Sequence, residues 1–220
     1  AVFAEVRRVL TDDGTLWLNL GDSYTGSGEG GNPVYRSPVG IPWRVAFALQ
    51  TDGWYLRSDV IWSKSNPMPE SVTDRPTKSH EYVFLLSKAA RYYYDADAHS
   101  VWSINATGNR ERECLAIIDS DLPTPDKWDA LKAMMSGAQS GVWRIATKPF
   151  ADAHFAVMPV ELAQRCIRAG SQAGDTILDP FGGVGTTGLA AVWLRRKAVL
   201  IELNPEYAEM ARRRFAAATA

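Results

Sequence analysis

Few features that would assign this sequence at a glance are present. Only two of its 220 residues are cysteine, Cys114 and Cys166, far apart in the chain. They can form neither a disulfide framework nor a four-ligand zinc site alone, so no metal is expected and a reducing, cytoplasmic setting is the default. No apolar run approaches the roughly 18 residues of a membrane span, and the amino terminus lacks the layout of a signal peptide. Charge of one sign is also missing. With 24 Lys and Arg against 25 Asp and Glu the formal charge is −1, so no global basic field advertises a nucleic-acid partner, although a local groove can be basic on a neutral protein.

What is present is the length of one ordinary α/β domain, 220 residues, with 46% hydrophobic and 22% charged. Disorder, collagen and coiled coil are excluded, and the length is enough to bury a sizeable core. The chain does not start with methionine. It opens with Val2, Val6, Val9 and Leu10 at helical spacing, which suggests a fragment or a processed product.

Thr11-Asp12-Asp13-Gly14 is turn chemistry, and the apolar run Thr15 to Leu20 reads as a buried strand. Residues 21–40 then hold six glycines with Pro33 and Pro38, a long loop of the kind that often serves function. Ile41 to Thr51 reads as a helix with Pro42 in its first turn and Gly53 past its end. Two strands follow, Tyr55 to Trp62 and Glu81 to Ser87. Between about 96 and 147 the periodicity is weak, apart from a helix expected over Pro125 to Ser136. The last 70 residues are clearest: a helix from Pro159, a strand Thr176 to Leu178, a glycine turn, a helix Thr186 to Leu194, a strand Ala198 to Ile201 and a final helix from Pro205. Strand, glycine turn, helix, strand is one right-handed βαβ unit.

Within that unit Gly183, Gly185 and Gly188 satisfy the G-x-G-x-x-G spacing, and Glu202 follows Gly183 by 19 residues at the end of the next strand. Glycines let backbone approach a ligand, and a carboxylate so placed can accept both ribose hydroxyls of an adenosine. A dinucleotide and S-adenosylmethionine both fit this logic. A P-loop does not, because no Gly-Lys-Ser/Thr follows the turn. Asp179, before the turn, suits the cationic amino-acid half of S-adenosylmethionine better than a pyrophosphate.

These residues carry a resemblance. Asp179-Pro180-Phe181-Gly182-Gly183-Val184-Gly185-Thr186-Thr187, followed by Ile201-Glu202-Leu203-Asn204-Pro205, is similar to the cofactor motifs of the DNA amino-methyltransferases, which methylate adenine N6 or cytosine N4. His154 to Pro159 resembles the segment covering the cofactor's methionine end, while Trp62 to Pro69 and Arg75 through His80-Glu81 resemble the target-side motifs. The target-side elements come first and the cofactor unit last, as in the circularly permuted branch called the β class. The resemblance implies a doubly wound, mostly parallel, Rossmann-like α/β sheet. Residues 1–95 would be its target-side half, 96–147 a variable insertion with a possible target-recognition role, and 148–220 its cofactor half.

The family's catalytic tetrapeptide, Asp, Asn or Ser followed by Pro-Pro and an aromatic, is absent, for there is no Pro-Pro dipeptide in the chain. The expectation is that a central strand carrying it lies upstream of Ala1 and that this chain alone is inactive. Cytosine C5 chemistry is not expected, since neither cysteine follows a proline. By resemblance the cofactor is S-adenosylmethionine, held by Phe155, Asp179, Phe181, Gly183, Gly185, Thr186, Thr187, Glu202 and Asn204. DNA is the implied partner, met by Trp62, Lys64, Asn66, Arg75, Lys78 and His80, and Asn19 and Asp22 are candidates for the target pocket. The segment from Arg57 to Arg91 nets only +2, so the pattern rather than the charge supports that assignment. An RNA methyltransferase, an NAD-dependent oxidoreductase and a non-catalytic nucleic-acid-binding remnant remain the alternatives.

Overall fold

The structure, a computed structural model, describes residues 2–24, 37–67, 75–99, 119–120, 123–125, 127, 141–147 and 157–219. Its centre is a four-stranded sheet of β1 (Thr15–Leu20), β2 (Tyr55–Lys64), β3 (His80–Ser87) and β4 (Val142–Ile145), in the order β1-β3-β2-β4. Strand β3 is antiparallel to both β1 and β2, and β4 is parallel to β2. Strands β1, β2 and β4 therefore point one way and end on one edge. A second sheet pairs β5 (Thr176–Asp179) with β6 (Lys197–Leu200) in parallel.

The larger sheet is mixed, because β3 runs against both of its neighbours. Strand β3 enters antiparallel between two strands that are parallel to one another. Strand β4 is also unannounced by the sequence pattern. Most of the helix expected over Pro125 to Ser136 lies outside the described residues.

Helices cover both faces of the larger sheet. On one face α1 (Val2–Val9) and α2 (Ile41–Thr51) bring Val6, Ala46 and Leu49 against Leu18, Phe84 and Leu86. On the other, α3 (Val160–Gly170) sets Leu162 and Cys166 against Val60, Trp62, Val83, Trp143 and Ile145. The alternation of Val83 with Phe84 and Leu86 is the period of two a strand buried on both faces requires. Phe84 and Leu86 are fully buried, which stabilises the fold by about 1.5–3 kcal/mol for each side chain.

The opposite side of α3 carries Ala163 and Ile167 to Ala190 and Ala191 of α4 (Thr186–Trp193), with Ile177 and Ala198 beneath. Helix α3 thus joins the two sheets. Thr15, at the start of β1, donates to Gly170 O at the end of α3, just before β5. At the other end, the Phe3 ring lies 6.4 Å from that of Phe181, just after β5. Both sheets consequently present the carboxyl ends of β1 and β5 to the same side, which is where open α/β sheets bind ligands.

Candidate functional site

The turn between β5 and α4 is built by its glycines for different reasons. Gly183 and Gly185 have φ of 51° and 83°, the left-handed region that favours glycine. Gly185 also abuts α5 (Pro205–Thr219): a Cβ there would lie 3.0 Å from Ala211 Cβ and 3.1 Å from Phe215. At Gly188 it would lie 2.5 Å from the Phe215 ring. Two of the three glycines in the G-x-G-x-x-G spacing therefore serve helix packing, and Gly185 is buried. Gly183 is half-buried, with only Phe181 O within 4 Å of where a Cβ would lie.

Glu202 fastens this turn. Its Oε2 accepts the Gly183 N–H at 2.7 Å and its Oε1 accepts the Asn204 N–H at 2.8 Å. An ionised carboxylate has about four lone-pair sites, so two remain for ligand hydroxyls. Asp179 Oδ1 accepts the Phe181 N–H at 2.9 Å, an Asx turn that swings the Phe181 ring outward to 63% exposure. Leu203, beside Glu202, is 96% exposed. The sequence reading missed Leu203; its signal was an apolar residue directly after the acid at a strand end.

Two cofactor candidates have partners within the protein. Thr186 is buried and its Oγ1 accepts from Arg214 Nη1 at 3.2 Å, at the interface of α4 and α5. Burial also lowers the Arg214 guanidinium below its ordinary pKa. Asn204 Oδ1 accepts the Glu206 N–H at 2.9 Å, which makes it the cap of α5. Thr187 stays half-buried at the start of α4. Phe155 lies outside the described residues.

On the target side, β1, β2 and β3 gather their polar residues at the shared edge. Glu81 accepts from Lys64 Nζ at 2.6 Å and from Asn19 Nδ2 at 3.1 Å, and Asn19 Nδ2 also donates to Tyr82 O at 3.0 Å. Asp22 Oδ1 accepts the N–H groups of Ser23 and Ile41, each at 2.9 Å, and its Oδ2 lies 3.6 Å from Lys78 Nζ. Burial pushes the Asp22 carboxyl up, but the Ile41 and Ser23 N–H groups, with the Lys78 ammonium, outweigh it and hold the carboxyl below its ordinary range. The neck of the glycine-rich loop closes here, with Val39 N donating to Ser23 O at 2.8 Å and Tyr24 bridging to Pro38. The Arg75 guanidinium lies 4.2 Å from the centre of the Tyr24 ring, and His80 meets Tyr82 edge-on at 5.6 Å.

Two nucleic-acid candidates have partners within the protein as well. Trp62 is 4% exposed and its indole N–H donates to Ile145 O at 3.0 Å, so its ring faces the core and has no surface for a base to stack on. Asn66 exchanges hydrogen bonds with the Thr147 backbone, at 2.9 Å and 2.8 Å. Its amide ties the end of β2 to the end of β4. Lys64 is drawn to Glu81, which neutralises its charge, and lies 5.1 Å from the centre of the Trp62 ring. Glu81 organises this edge by holding side chains from β1 and β2 at its two oxygens.

Among the described residues no cluster of three or more His, Cys, Asp or Glu side chains could hold a metal ion, and no helix is long and apolar enough to cross a membrane.

Comparison with known proteins agrees with this geometry. The model of a DNA methylase family acting at N6 and N4 positions matches residues 1–213. The type II methyltransferase M.SmaI of Serratia marcescens is 46% identical, over 97% of this chain and 71% of its own length. A Thermus thermophilus chain described as a candidate DNA modification methylase, solved with S-adenosyl-L-methionine, superposes with a TM-score of 0.66 at 26% identity, over 99% of this chain and 74% of that one. The cytosine-N4-specific PvuII DNA methyltransferase shares the fold, with a TM-score of 0.69 at 20% identity over 97% of this chain and 68% of that one. With its glycine turn fastened by Glu202 and a polar edge gathered by Glu81, the chain belongs to the S-adenosylmethionine-dependent DNA methylase family that modifies exocyclic amino groups of adenine or cytosine.

Proposed function

We propose that the common carboxyl edge of the two sheets is a single cleft, with a cofactor half at the β5–α4 turn and a target half at the ends of β1 and β2. One observation carries this reading: the Glu202 carboxylate is held at both oxygens by backbone N–H groups and still has capacity for a ribose diol. Exposed Phe181 and Leu203 add apolar surface beside it for an adenine ring. Asp179 suits a cationic amino-acid group and disfavours a pyrophosphate, which counts against a nicotinamide cofactor. Thr187, at the start of α4, is suited to a carboxylate, an anion the helix N-terminus favours.

Asp179, Phe181, Gly183, Thr187, Glu202 and Leu203 would hold S-adenosylmethionine, with Phe155 added by resemblance. Bound there, the cofactor supplies a methyl group already activated on sulfur for direct transfer to an amine. The work left to the protein is to orient the base, exclude water and accept hydrogen bonds from the amino group. Arg75, Lys78 and His80 line the DNA side of the cleft in this reading, residues 96–147 hold the recognition region, and the protein acts on DNA in the cytoplasm.

The permuted arrangement, with a further strand carrying the tetrapeptide beside β1 and β5, belongs to the same proposal. It is supported by the equal direction of β1 and β5, by the lack of a second neighbour for β1 among the described residues, and by the absence of Pro-Pro from the 220 residues. Reading the parent gene upstream of Ala1 tests it. The expected find is Ser, Asp or Asn followed by Pro-Pro and an aromatic, within about one strand-helix unit.

Calorimetric titration with S-adenosylhomocysteine and, separately, with NAD tests the cofactor assignment. Binding of the first alone is expected; binding of NAD alone overturns it.

A further inference from the structure

The Asn19 amide has one orientation open to it. Its nitrogen lies 3.1 Å from a Glu81 carboxylate oxygen and 3.0 Å from the Tyr82 carbonyl oxygen, and both partners accept hydrogen bonds without donating any. Turning the amide over would set its oxygen against two other oxygens, so the chemistry of the partners fixes which atom is nitrogen. Both amide hydrogens are thereby committed. The amide oxygen has no hydrogen-bond partner among the described residues, and it belongs to a half-buried side chain one residue from the carboxyl end of β1.

The other oxygen of Glu81 holds Lys64 at 2.6 Å. An ammonium has three donors, and this pairing uses one. Asn19 from β1 and Lys64 from β2 are therefore fixed on either side of one carboxylate, carried by the antiparallel strand between them. The edge offers an acceptor that cannot become a donor, next to a donor that cannot become an acceptor.

We propose that Asn19 and Lys64, held by Glu81, select an amino-bearing base, adenine or cytosine, as an unpaired nucleotide enters the cleft. Each of those bases presents an amino N–H donor beside a ring-nitrogen acceptor, whereas thymine and guanine present a keto oxygen beside a ring N–H. The inference rests on the cleft being a nucleic-acid site, but not on the cofactor. Asn19 and Lys64 touch the base in this scheme, and Glu81 is a positioning residue that acts through them.

The probes are fluorescent deoxycytidine and deoxythymidine 12-mers, titrated with the 220-residue chain and read by anisotropy. Phosphate contacts are common to both, so the ratio of their dissociation constants reports the base. A preference for the cytidine oligomer of roughly threefold to tenfold is expected, the range of one or two hydrogen bonds. Asn19→Ala brings the ratio close to one with little change in thymidine affinity. Glu81→Gln, whose amide lets Asn19 turn over, lowers the ratio too, which a purely structural Glu81 would not do. Should Asn19→Ala fail to fold, Glu81→Gln and Lys64→Met decide the matter. A wild-type ratio of one, or a ratio unmoved in Glu81→Gln, overturns the proposal. Preserved base preference without S-adenosylhomocysteine binding would instead strike the methyltransferase reading and leave this one standing.

Discussion

Glu202 joins Gly183 across the β5–α4 turn: its carboxylate accepts the Gly183 N–H at 2.7 Å from a position 19 residues further along the chain. The other oxygen holds Asn204 at the entrance to α5. One side chain at the end of β6 therefore sets the shape of the loop after β5 and the start of the following helix.

Removing that carboxylate should affect both stability and ligand binding. Glu202→Ala leaves two backbone N–H groups without their charged acceptor and is expected to cost about 2 kcal/mol or more, with a loss of S-adenosylhomocysteine affinity beyond tenfold. Glu202→Gln keeps one acceptor oxygen and should fall between. Thermal unfolding and calorimetry check the two effects, and unchanged affinity would remove Glu202 from the ribose site.

Gly185 and Gly21 offer a matched comparison of glycine roles. At Gly185 the backbone is left-handed and a Cβ would crowd Ala211 and Phe215, so Gly185→Ala should destabilise by about 1–3 kcal/mol. Nothing lies within 4 Å of a Cβ at Gly21, and Gly21→Ala should change stability by less than about 1 kcal/mol. Urea denaturation of the two variants measures the contrast.

Asp22 predicts part of the acid limb of the stability curve. The folded protein holds its carboxyl below the ordinary value, burial being outweighed by the Ile41 and Ser23 N–H groups and Lys78, while the unfolded chain returns it to about 3.9. The unfolded state thus binds more protons in that window, and stability rises with pH there. The contribution of Asp22 is complete above the unfolded value and disappears as pH falls through the folded one. Asp22→Asn should flatten the unfolding free energy measured between about pH 4 and pH 2; an unaltered slope would show that the carboxylate is not coupled to folding.

Cys166 should be inert while the protein is folded. Burial pushes its thiol up to about 12, with Arg165 opposing only in part, so almost no thiolate exists near neutral pH. In a Cys114→Ser background, maleimide labelling at pH 8 is expected to be slow in buffer and rapid in denaturant. Fast labelling of the folded chain would contradict the packing of α3 on the larger sheet.

Much of the fold is legible in the residues, because the signals involved are local. Val2, Val6 and Val9 mark α1 by spacing, Pro42 and Gly53 bracket α2, and Pro205 with its Asn204 cap begins α5. Strand β4 was not legible. Four residues of alternating burial carry little pattern, and Val142 to Ile145 become a strand only by lying parallel to Ile61 to Lys64 of β2. The antiparallel entry of β3 was hidden for a similar reason, since strand direction depends on how a long loop returns.

The chemistry divides along the same line. Composition, the glycine spacing and the distance to Glu202 are properties of the chain, and they suffice to mark the βαβ unit and its proposed cofactor turn because such a turn is assembled from consecutive residues. The sequence alone therefore determined that a carboxylate ends the strand after this turn and that Asp179 precedes it. Whether a polar side chain faces the cleft or is satisfied elsewhere was decided only by tertiary structure. Thr186 went to Arg214, Asn66 to Thr147 and the Trp62 indole to Ile145. Each partner lies between 28 and 83 residues away, beyond the reach of any local pattern, and a hydrogen-bonding group in a packed protein takes its role from the partner it meets.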